Sequence, residues 1–554
     1  APEFGEDDMN LGKEYNLPFI QHINMDGTIK AEVKDFVGMN VKPAKDTQKT
    51  DVEIIKYLAN KNLLFAKEKY EHSYPHCWRC ETPLINYATT SWFVAVTKVK
   101  DRALELASRI NWSPAHIKEG RFGNWLAGAR DWSISRQRFW ASVMPIWKCE
   151  CGEIKVFGSV AELEQASGEK ITDLHKHIVD KITLKCANCS GVMKRVPDVL
   201  DAWFDSGSMP YAQMHYPFAN KEKFEANFPA EFIAEGVDQT RAWFYYLHII
   251  ATAIKDKAAF KNVIVNGIVL AEDGKKMSKR LNNYPDPEEI FNKYGADAMR
   301  YYLISSPVMA AENLNFSEDG VKESFRKINM ILWNVYKFYE LFSNTLTPNP
   351  SPAPNVAGEG NKIPLTPQMR GKNVLDKWIL ARLNQLIGEI TESMDKYNLP
   401  KAVRPIGDFI NDLSTWYLRR SRDRFKALTP NPSPAPGVTR EGNNKVIDKQ
   451  VALATTGYVL LNLAKVMAPF LPFLAEQIWQ KVSGFNFQDE NKSVHLESWP
   501  KIELRIKNYE SRIIKEMELV RKIVELGLAE RDKAGIKVRQ ALRKLEVRSK
   551  KLEL

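Results

Sequence analysis

Cysteine is sparse in this chain of 554 residues, and its placement argues against a disulfide framework. The six cysteines form three close pairs: Cys77 with Cys80, Cys149 with Cys151, and Cys186 with Cys189. In a large chain without a secretory signal, cysteines held in close pairs favour metal binding over disulfides.

Long apolar runs and a targeting segment are also absent. No stretch of about 18 or more apolar residues occurs, so the sequence predicts no helix that spans a bilayer. The start, Ala1 to Asp8, has neither the basic region nor the apolar run of a signal peptide. It also lacks an initiator Met, from which we expect the chain to begin inside a longer protein. Together these observations predict a cytoplasmic protein without a membrane partner.

Charge is the main compositional excess. The chain has 79 Lys and Arg against 68 Asp and Glu, a formal net charge of +11. Charge alone leaves two interpretations open, a solvated basic surface and a surface that binds a polyanion. The length predicts about three to five domains, and a hydrophobic content of 44% is enough to build their cores.

Two architectures follow one another along the chain. Glu231–Glu235 and Asn262–Asn266 predict buried strands, with a helix from Asp238 to about Lys255 between them. Apolar strands joined through a helix predict a parallel α/β sheet. From about residue 320 the pattern predicts a helix bundle. Its long amphipathic candidates are 378–397, 402–426, 449–470 and 506–534.

A proline-rich run interrupts the predicted bundle twice, since Leu346–Pro354 recurs identically at Leu428–Pro436. Proline removes backbone donors, and these segments have almost nothing to bury, so residues 346–362 and 428–445 are predicted to be disordered surface inserts. A proline-rich ligand for another protein is the alternative.

A basic loop, Asp273–Arg280, follows the second predicted strand. Lysines beyond the carboxyl end of a strand can neutralise charge that develops on phosphate; a solvated basic turn is the plainer interpretation. Lys276-Met277-Ser278-Lys279 resembles the second signature of class I aminoacyl-tRNA synthetases. The resemblance implies that Lys276 and Lys279 are catalytic, that Met277 and Ser278 bind ATP or the adenylate, and that ATP acts with Mg²⁺.

Two upstream blocks narrow the resemblance. Asp198–Gly207 and Glu235–Phe244 are similar to the amino acid pocket of isoleucyl-tRNA synthetases. Two tryptophans offer rigid apolar walls, acids offer charge for an ammonium group and acceptors for a ribose, and an amide offers directional contacts. The implied amino acid pocket is Trp203, Gln239 and Trp243, and the implied adenylate-binding residues are Glu235, Gly236 and Asp238. The alternative makes both tryptophans core residues and the acids helix caps.

The sequence departs from this family at two positions. Ala141 and Ala242 stand where its members usually have glycine, and a Cβ can obstruct a close backbone approach. The family's His-x-Gly-His signature, which binds ATP, is absent from the sequence as well. The chain is therefore expected to lack the first half of the active site, supplied by the same gene or by a second chain.

The cysteine pairs fit zinc. Cys149, Cys151, Cys186 and Cys189 form a C-x-C and C-x-x-C set that suits tetrahedral Zn²⁺, with buried free thiols as the alternative. Cys77 and Cys80 resemble one half of a similar site, whose other half lies upstream in related synthetases. The resemblance also assigns Asp8 to the end of a hydrolytic editing pocket, as the acid that holds the ammonium group of a mischarged residue.

Aromatic and basic residues alternate over Trp416–Lys426, a pattern suited to phosphate contact and base stacking. Arg419, Arg420, Arg422 and Arg424 are the implied tRNA contacts, and a basic helix face is the competing interpretation. The segment 501–554 has 16 Lys and Arg against 9 Asp and Glu, which extends the predicted basic surface.

The resemblance predicts a multidomain protein: an α/β Rossmann-like catalytic half-domain with a zinc-binding insertion, followed by an all-α anticodon-binding bundle. Its implied function is ATP-dependent activation of isoleucine and transfer to tRNA(Ile). The alternative is a non-catalytic, zinc-containing RNA-binding protein derived from a synthetase. The predicted domains are an editing remnant (1–60), a connective region (61–145), a zinc insertion (146–197), the catalytic second half (198–320), the anticodon-binding bundle (321–500) and a basic junction (501–554).

Overall fold

A computed structural model describes most of the chain. The described residues are 3–77, 80–137, 141–343, 373–426, 440–485, 488–489, 491–501 and 507–543. They form two compact units, the first of residues 1–94 with 132–201 and the second of residues 95–131 with 202–554. The predicted connective region 61–145 is thus divided between both units. No helix among the described residues is long and apolar enough to cross a membrane.

The first unit is built from short strands and few helices. Elements are numbered along the chain, and in this unit they are α1 (Glu6–Glu14), α2 (Lys49–Asn60), β1 (Phe93–Val94), β3 (Trp132–Ser133), β4 (Ser135–Arg136), β5 (Ile146–Lys148), β6 (Ile154–Val156), α5 (Val160–Ser167), α6 (Lys176–Val179), β7 (Thr183–Lys185), β8 (Val192–Arg195) and β9 (Val199–Leu200). β1 pairs with β3 and β4 with β9, both antiparallel. The four strands β6-β5-β8-β7, in that order, form one antiparallel sheet.

This four-stranded sheet has a small core of its own. Trp147 is fully buried, packs edge-on against Phe157 at 5.1 Å and donates its indole N–H to the carbonyl of Ile182 at 2.8 Å. Arg195 is buried too, and its Nε donates to Asp180 at 2.6 Å, so the buried charge has a partner. A separate core makes this segment a rigid frame for the turns at its end.

The second unit begins with the predicted parallel sheet. Its strands are β2 (Asn111–Ser113), β10 (Ala230–Gly236) and β11 (Phe260–Asn266), in the order β10-β11-β2. Around them lie α3 (Lys100–Ser108), α4 (Asn124–Ala127), α7 (Ala202–Gly207), α8 (Met209–Ala212), α9 (Lys221–Asn227), α10 (Trp243–Lys255), β12 (Val269–Leu270), α11 (Pro287–Tyr294), α12 (Ala296–Ser305), β13 (Leu314–Asn315) and α13 (Glu318–Ser324). The short strand β2 was not predicted.

One expectation about this sheet is wrong. β10 forms where predicted, but it is not buried: Phe232 is 54% exposed and Glu231 and Ala234 are exposed as well. Among the described residues β10 pairs only with β11, so its other edge has no neighbouring strand. β11, which has a strand on each side, is buried as predicted.

The rest of the second unit is the predicted helix bundle. Its helices are α14 (Ile331–Ser343), α15 (Val374–Asp395), α16 (Leu399–Asn411), α17 (Arg419–Phe425), α18 (Arg440–Met467), α19 (Pro472–Ser483) and α20 (Lys507–Lys533). A π-helical stretch, Asp412–Leu418, joins α16 to α17. One continuous apolar core runs through α14 to α20, as expected when amphipathic helices bury their apolar faces together.

The proline-rich inserts have separate outcomes. The predicted insert 346–362 and residues 428–439 of the second insert lie outside the described residues. The predicted end of the second insert, residue 445, is wrong, because α18 begins at Arg440 and residues 440–445 are helical.

Candidate active site

The candidate site starts at the carboxyl edge of the parallel sheet. β10 and β11 run in parallel, and Gly236 at the end of β10 lies opposite Asn266 at the end of β11. Ligands of open α/β sheets bind outside this edge of the strands. The chain leaves β10 into a 3-10 turn, Val237–Arg241, that carries two of the predicted binding residues.

The predicted polar binding residues Asp238 and Gln239 are oriented by this turn and not by a helix cap. Gln239 Nε2 donates to Asp238 Oδ2 at 2.7 Å, and the backbone N–H of Trp243 donates to Gln239 Oε1 at 3.2 Å. The predicted helix start at Asp238 is wrong, since α10 begins at Trp243. Ala242 ends the turn by donating its N–H to the Gln239 carbonyl at 3.1 Å. The amide side chain of Gln239 is therefore held at both ends beside an exposed carboxylate.

The two predicted tryptophans lie on neighbouring helices. Trp243 begins α10 and donates its indole N–H to the carbonyl of Ser206 in α7 at 3.1 Å. Trp203, also in α7, stacks on Tyr246 of α10 with ring centroids 5.7 Å apart. A Cβ added at Gly207 would lie 2.9 Å from Ile250 Cδ1, so glycine permits this close packing of α7 on α10.

Both tryptophans keep accessible surface. Trp203 is 37% exposed and Trp243 is partly buried, so neither is the core residue of the competing interpretation. Glu235 is exposed near the end of β10, and its carboxylate has no hydrogen-bond partner among the described residues. Hydrogen bonds thus connect Asp238, Gln239 and Trp243 just after Glu235 and Gly236, and Trp203 lies on the helix α7 that Trp243 contacts.

The basic loop is a turn that presents its lysines to solvent. Leu270 and Lys276 form an antiparallel bridge, and Gly274 makes the reversal with φ +78°. The side chain of Asn283 closes the loop from within: its amide donates to the Lys276 carbonyl at 3.1 Å, and its oxygen accepts from the Ser278 N–H at 2.9 Å. These hydrogen bonds therefore hold the backbone of the basic loop in one conformation.

Within the loop, the apolar side chain faces the protein core and the lysine side chains face the solvent. Met277 packs against a buried cluster that includes Ile290, Ala298 and Phe316. Lys276 and Lys279 are exposed and have no carboxylate partner among the described residues, whereas Lys275 is paired with Asp273 at 3.0 Å. Two unpaired cations on an anchored loop are what a polyphosphate would require. Whether the loop and the tryptophans share one cleft stays a prediction.

The four later cysteines come together at the end of the small antiparallel sheet. The sulfurs of Cys149, Cys151, Cys186 and Cys189 all lie within 4.8 Å of one another. Cys149 Sγ is 3.5 Å from Cys189 Sγ, and Cys151 Sγ is 3.7 Å from Cys186 Sγ. Four sulfurs about 2.3 Å from a tetrahedral zinc ion are roughly 3.8 Å apart. The geometry therefore fits the predicted zinc ligands.

The turn that carries Cys186 favours a thiolate there, whereas burial and hydrogen bonds among the thiols raise the pKa of Cys149 and of Cys151. Cys149 donates its N–H to the Glu153 carbonyl and accepts from Gly152, while Cys186 bonds Gly191 and Ser190 in the same way. The backbone N–H of Cys189, directed at the sulfur, lowers the pKa of Cys186 to about 7. A partly ionised thiol at neutral pH is suited to binding a cation.

The predicted half-site forms a similar turn in the first unit. Cys77 donates its N–H to the Thr82 carbonyl at 2.8 Å. The hydroxyl of Thr82 lies 3.0 Å from Cys80 Sγ, and this hydrogen bond lowers the pKa of that thiol. Two thiols on one turn are half of a four-cysteine site, so the half-site stays a prediction. Asp8 lies exposed in the first turn of α1, and its editing role is also untested.

The predicted RNA-binding arginines divide into two groups. Arg424 is only 10% exposed and donates two hydrogen bonds to Asp376, at 2.8 and 2.7 Å, and two to Asp448. Its prediction as a tRNA contact is wrong, because this guanidinium is committed to two carboxylates. The other three arginines of the set, Arg419, Arg420 and Arg422, are exposed.

Sequence reasoning missed Arg382 and Arg521, which the structure places near the predicted Arg420. Arg420 lies over the ring of Trp416 at 3.8 Å, and Arg521 of α20 approaches the same ring at 5.5 Å. Arg521 and Arg382 both donate to Asp412, at 2.6 and 3.1 Å. More than 100 positions separate Arg521 from Trp416, so no local pattern in the sequence could connect them.

Comparison with known proteins defines the class to which this site belongs. A family model described as tRNA synthetases class I (I, L, M and V) matches residues 20–315, and one described as the anticodon-binding domain of tRNA ligase matches residues 376–547. The chain belongs to the class I tRNA synthetase family.

Two relatives of this chain carry the same name. The chain is 45% identical over 550 residues to a protein of Treponema denticola named isoleucine–tRNA ligase, with 99% of the chain and 47% of that protein covered. A protein of the same name from Chlamydia trachomatis serovar L2 is 45% identical, with 99% and 49% covered. The chain spans about half the length of the curated relatives it matches.

Two solved structures are similar at lower levels. A ternary complex of Agrobacterium radiobacter K84 LeuRS with tRNA and LeuAMS has a TM-score of 0.47 and 21% identity, covering 70% of this chain and 44% of that one. Methionyl-tRNA synthetase of Mycobacterium tuberculosis with methionyl-adenylate has a TM-score of 0.48 and 15% identity, covering 73% and 65%.

Proposed function

We propose that this chain carries the second half of the active site and the tRNA-binding bundle of an isoleucine–tRNA ligase. In the proposed reaction the isoleucine carboxylate attacks the α-phosphorus of ATP and releases pyrophosphate, and the aminoacyl group then passes to the terminal ribose of tRNA. The observation that carries the proposal is the hydrogen-bonded set of Asp238, Gln239 and Trp243, with Trp203 on the adjoining helix, in a chain 45% identical to isoleucine–tRNA ligases over 99% of its length.

The tryptophan pair supplies the amino acid pocket in this proposal. Trp203 and Trp243 lie on packed helices, and a hydrogen bond from Trp243 to Ser206 fixes one indole. Rigid aromatic walls suit a branched aliphatic side chain, because burying its methyl groups releases water from a preformed surface. Asp238 then provides charge for the ammonium group, and Glu235 or Gly236 contacts the nucleotide.

Lys276 and Lys279 act on the other reactant, ATP bound with Mg²⁺. The negative charge that leaves with pyrophosphate develops in the transition state, where exposed ammonium groups stabilise it most. Both lysines have no carboxylate partner among the described residues, so neither must break an ion pair to reach phosphate. Met277 anchors the loop that carries them.

The chain alone is proposed not to form the adenylate. Its sequence lacks the His-x-Gly-His signature, and among the described residues one edge of β10 has no neighbouring strand. A parallel strand beside β10 would pair with its open backbone edge and bring the missing histidines to the same carboxyl edge. The polypeptide that supplies this strand is proposed as a required partner.

Zinc and tRNA complete the proposed set of ligands. Cys149, Cys151, Cys186 and Cys189 would hold one Zn²⁺, which when bound cross-links two turns of the small sheet. The exposed arginines Arg419, Arg420 and Arg422 would contact tRNA phosphates, with Trp416 nearby for stacking. A cytoplasmic location accompanies this proposal.

The test is isoleucine-dependent exchange between ATP and labelled pyrophosphate, run with the complete translated product of the gene and with this chain alone. We expect exchange with the complete product, a lower kcat/KM for valine by about 10- to 200-fold, and none with the chain alone. A higher kcat/KM for any amino acid other than isoleucine would overturn the assignment.

The absent His signature favours a second candidate, a non-catalytic RNA-binding protein. That function predicts tight, salt-dependent tRNA binding and no exchange with any amino acid, even from the complete product. The same experiment therefore separates the two candidates.

A further inference from the structure

A second segment of the sheet domain holds the turn that carries Asp238 and Gln239. The chain forms a π-helical stretch, Lys118–Gly123, whose Phe122 is fully buried against Trp112 at 4.8 Å. From this anchored stretch Arg121 reaches the Val237–Arg241 turn. Insertions of this kind into helices are rare and recur at functional positions, where they redirect a side chain.

The contact is made by one N–H of the guanidinium. Arg121 Nε donates to Thr240 Oγ1 at 3.0 Å and to the Val237 carbonyl at 3.2 Å. Thr240 is fully buried, and its hydroxyl in turn donates to the Val237 carbonyl at 2.7 Å. These three bonds form a closed triangle that fixes the first and fourth residues of the turn relative to each other.

The residues between those two points are the predicted ligands Asp238 and Gln239. Their side chains bond each other, and Gln239 continues to the backbone of Trp243. A second contact braces the turn from the same side, since the Arg241 guanidinium lies over the Trp125 ring at 5.2 Å. Trp125 belongs to α4, directly after the π-helical stretch.

We propose that Arg121 is a positioning residue for the amino acid site: through Thr240 and Val237 it holds the turn in the conformation that presents Asp238 and Gln239. This inference rests on the proposed function for the identity of the bound ligand, but not for the mechanical role. Arg121 acts through the turn and is not a catalytic residue.

The geometry distinguishes this role from that of a surface charge. Arg121 makes its contacts through Nε, while its two terminal nitrogens have no hydrogen-bond partner among the described residues. Lysine has no group at the Nε position that could donate at the same angle to both acceptors. Arg121→Lys keeps the charge and loses the bond, whereas Arg121→Met loses both.

The mechanical role is tested on this chain by hydrogen exchange. The N–H groups of Ala242 and Trp243 bond to Gln239 in the ordered turn. In Arg121→Met and in Arg121→Lys we expect both amides to exchange about tenfold faster, because a charge-assisted bond that orders them is lost. Thr240→Val should match this effect, and adding it to Arg121→Met should add little. Arg109→Gln is the control, since the side chain of Arg109 is paired with Glu105 on the surface of α3 and not with the turn.

The functional consequence is tested in the complete translated product. We expect both Arg121 variants to raise the KM for isoleucine about tenfold with kcat within about twofold, and to leave tRNA affinity unchanged. The proposal would be overturned if the hydrogen-exchange rates of Ala242 and Trp243 were unchanged in Arg121→Met, or if Arg121→Lys had the hydrogen-exchange rates of the unmodified chain. If the unmodified product does not activate isoleucine, the proposed function fails, and the hydrogen-exchange rates still decide the role of Arg121.

Discussion

The buried histidine of the sheet domain leads to a prediction about acid sensitivity. His248 in α10 is fully buried, and its Nε2 lies 2.8 Å from the Ala103 carbonyl, so Nε2 carries the proton. Its Nδ1 has no hydrogen-bond partner among the described residues. A second proton would place an uncompensated charge in the core, and this burial lowers the pKa of His248 to about 4.

The sign of the effect follows from which state binds the proton. The ordinary pKa of histidine is 6.5 and that of His248 in the fold is about 4. Between these values the unfolded chain is protonated and the folded chain is not, so stability is fully present above pH 6.5 and declines toward pH 4. Linkage with these two pKa values gives a loss of about 2 kcal/mol between pH 7 and pH 4.5.

The perturbation is His248→Phe, which removes the titrating group and keeps a ring beside Phe122. Urea unfolding of both proteins is measured at pH 7 and pH 4.5 and is monitored through the hydrogen exchange of core amides in α10. The difference between the two proteins gives the contribution of His248 to the pH dependence of stability. We expect the pH dependence of the wild-type unfolding free energy to exceed that of the variant by about 2 kcal/mol. Equal pH dependence, or a His248 pKa near its ordinary value by NMR, would refute the reasoning.

Three further predictions concern the loop, the metal and the bundle. Replacing Lys276 and Lys279 by alanine should slow isoleucine-dependent pyrophosphate exchange by at least about 100-fold in the complete product, with tRNA binding intact, because the lost charges act on the transition state. Metal analysis of the chain should find about one zinc, lost in Cys186→Ser. Asp376→Ala should lower the free energy of unfolding of the bundle by about 1–3 kcal/mol, since it removes one of the two carboxylate partners of the nearly buried Arg424. Arg420→Ala should leave stability unchanged and weaken tRNA binding.

Each of these has a matched control. Lys275→Ala changes a lysine that is paired with Asp273 and should leave exchange nearly unchanged; equal losses in both loop variants would argue for a general charge effect. Cys80→Ser should retain the zinc, and folded protein free of metal would contradict the four-cysteine site. Arg420→Ala is the control for Asp376→Ala. If both variants lowered the free energy of unfolding by similar amounts, the assignment of Arg424 to the core and of Arg420 to the surface would be contradicted.

The sequence predicted those elements whose stability is local or follows from a simple apolar pattern. β11 and the bundle helices form where their apolar residues indicated, because each buries a regular face. The same apolar pattern wrongly predicted that β10 is buried, since an apolar strand is buried only when neighbouring elements cover it.

The candidate site was predictable in its residue types but not in its geometry. Resemblance pointed to Gln239 and Trp243, and the structure adds that Gln239, rather than an acid, meets the first N–H of α10. Charge pattern alone placed Arg424 with its exposed neighbours, although it is paired to Asp376 48 positions away. Arg121 and Thr240 are separated by 119 positions, so only the folded chain brings them together.

The most direct test of the central claim is a crystal structure of the complete product with a non-hydrolysable isoleucyl-adenylate analogue. We expect the isoleucine side chain between Trp203 and Trp243, its ammonium group at Asp238, and the loop with Lys276 and Lys279 closed over the phosphate side. An analogue bound away from both tryptophans, or a loop that remains remote from the occupied site, would contradict the assignment of a single cleft.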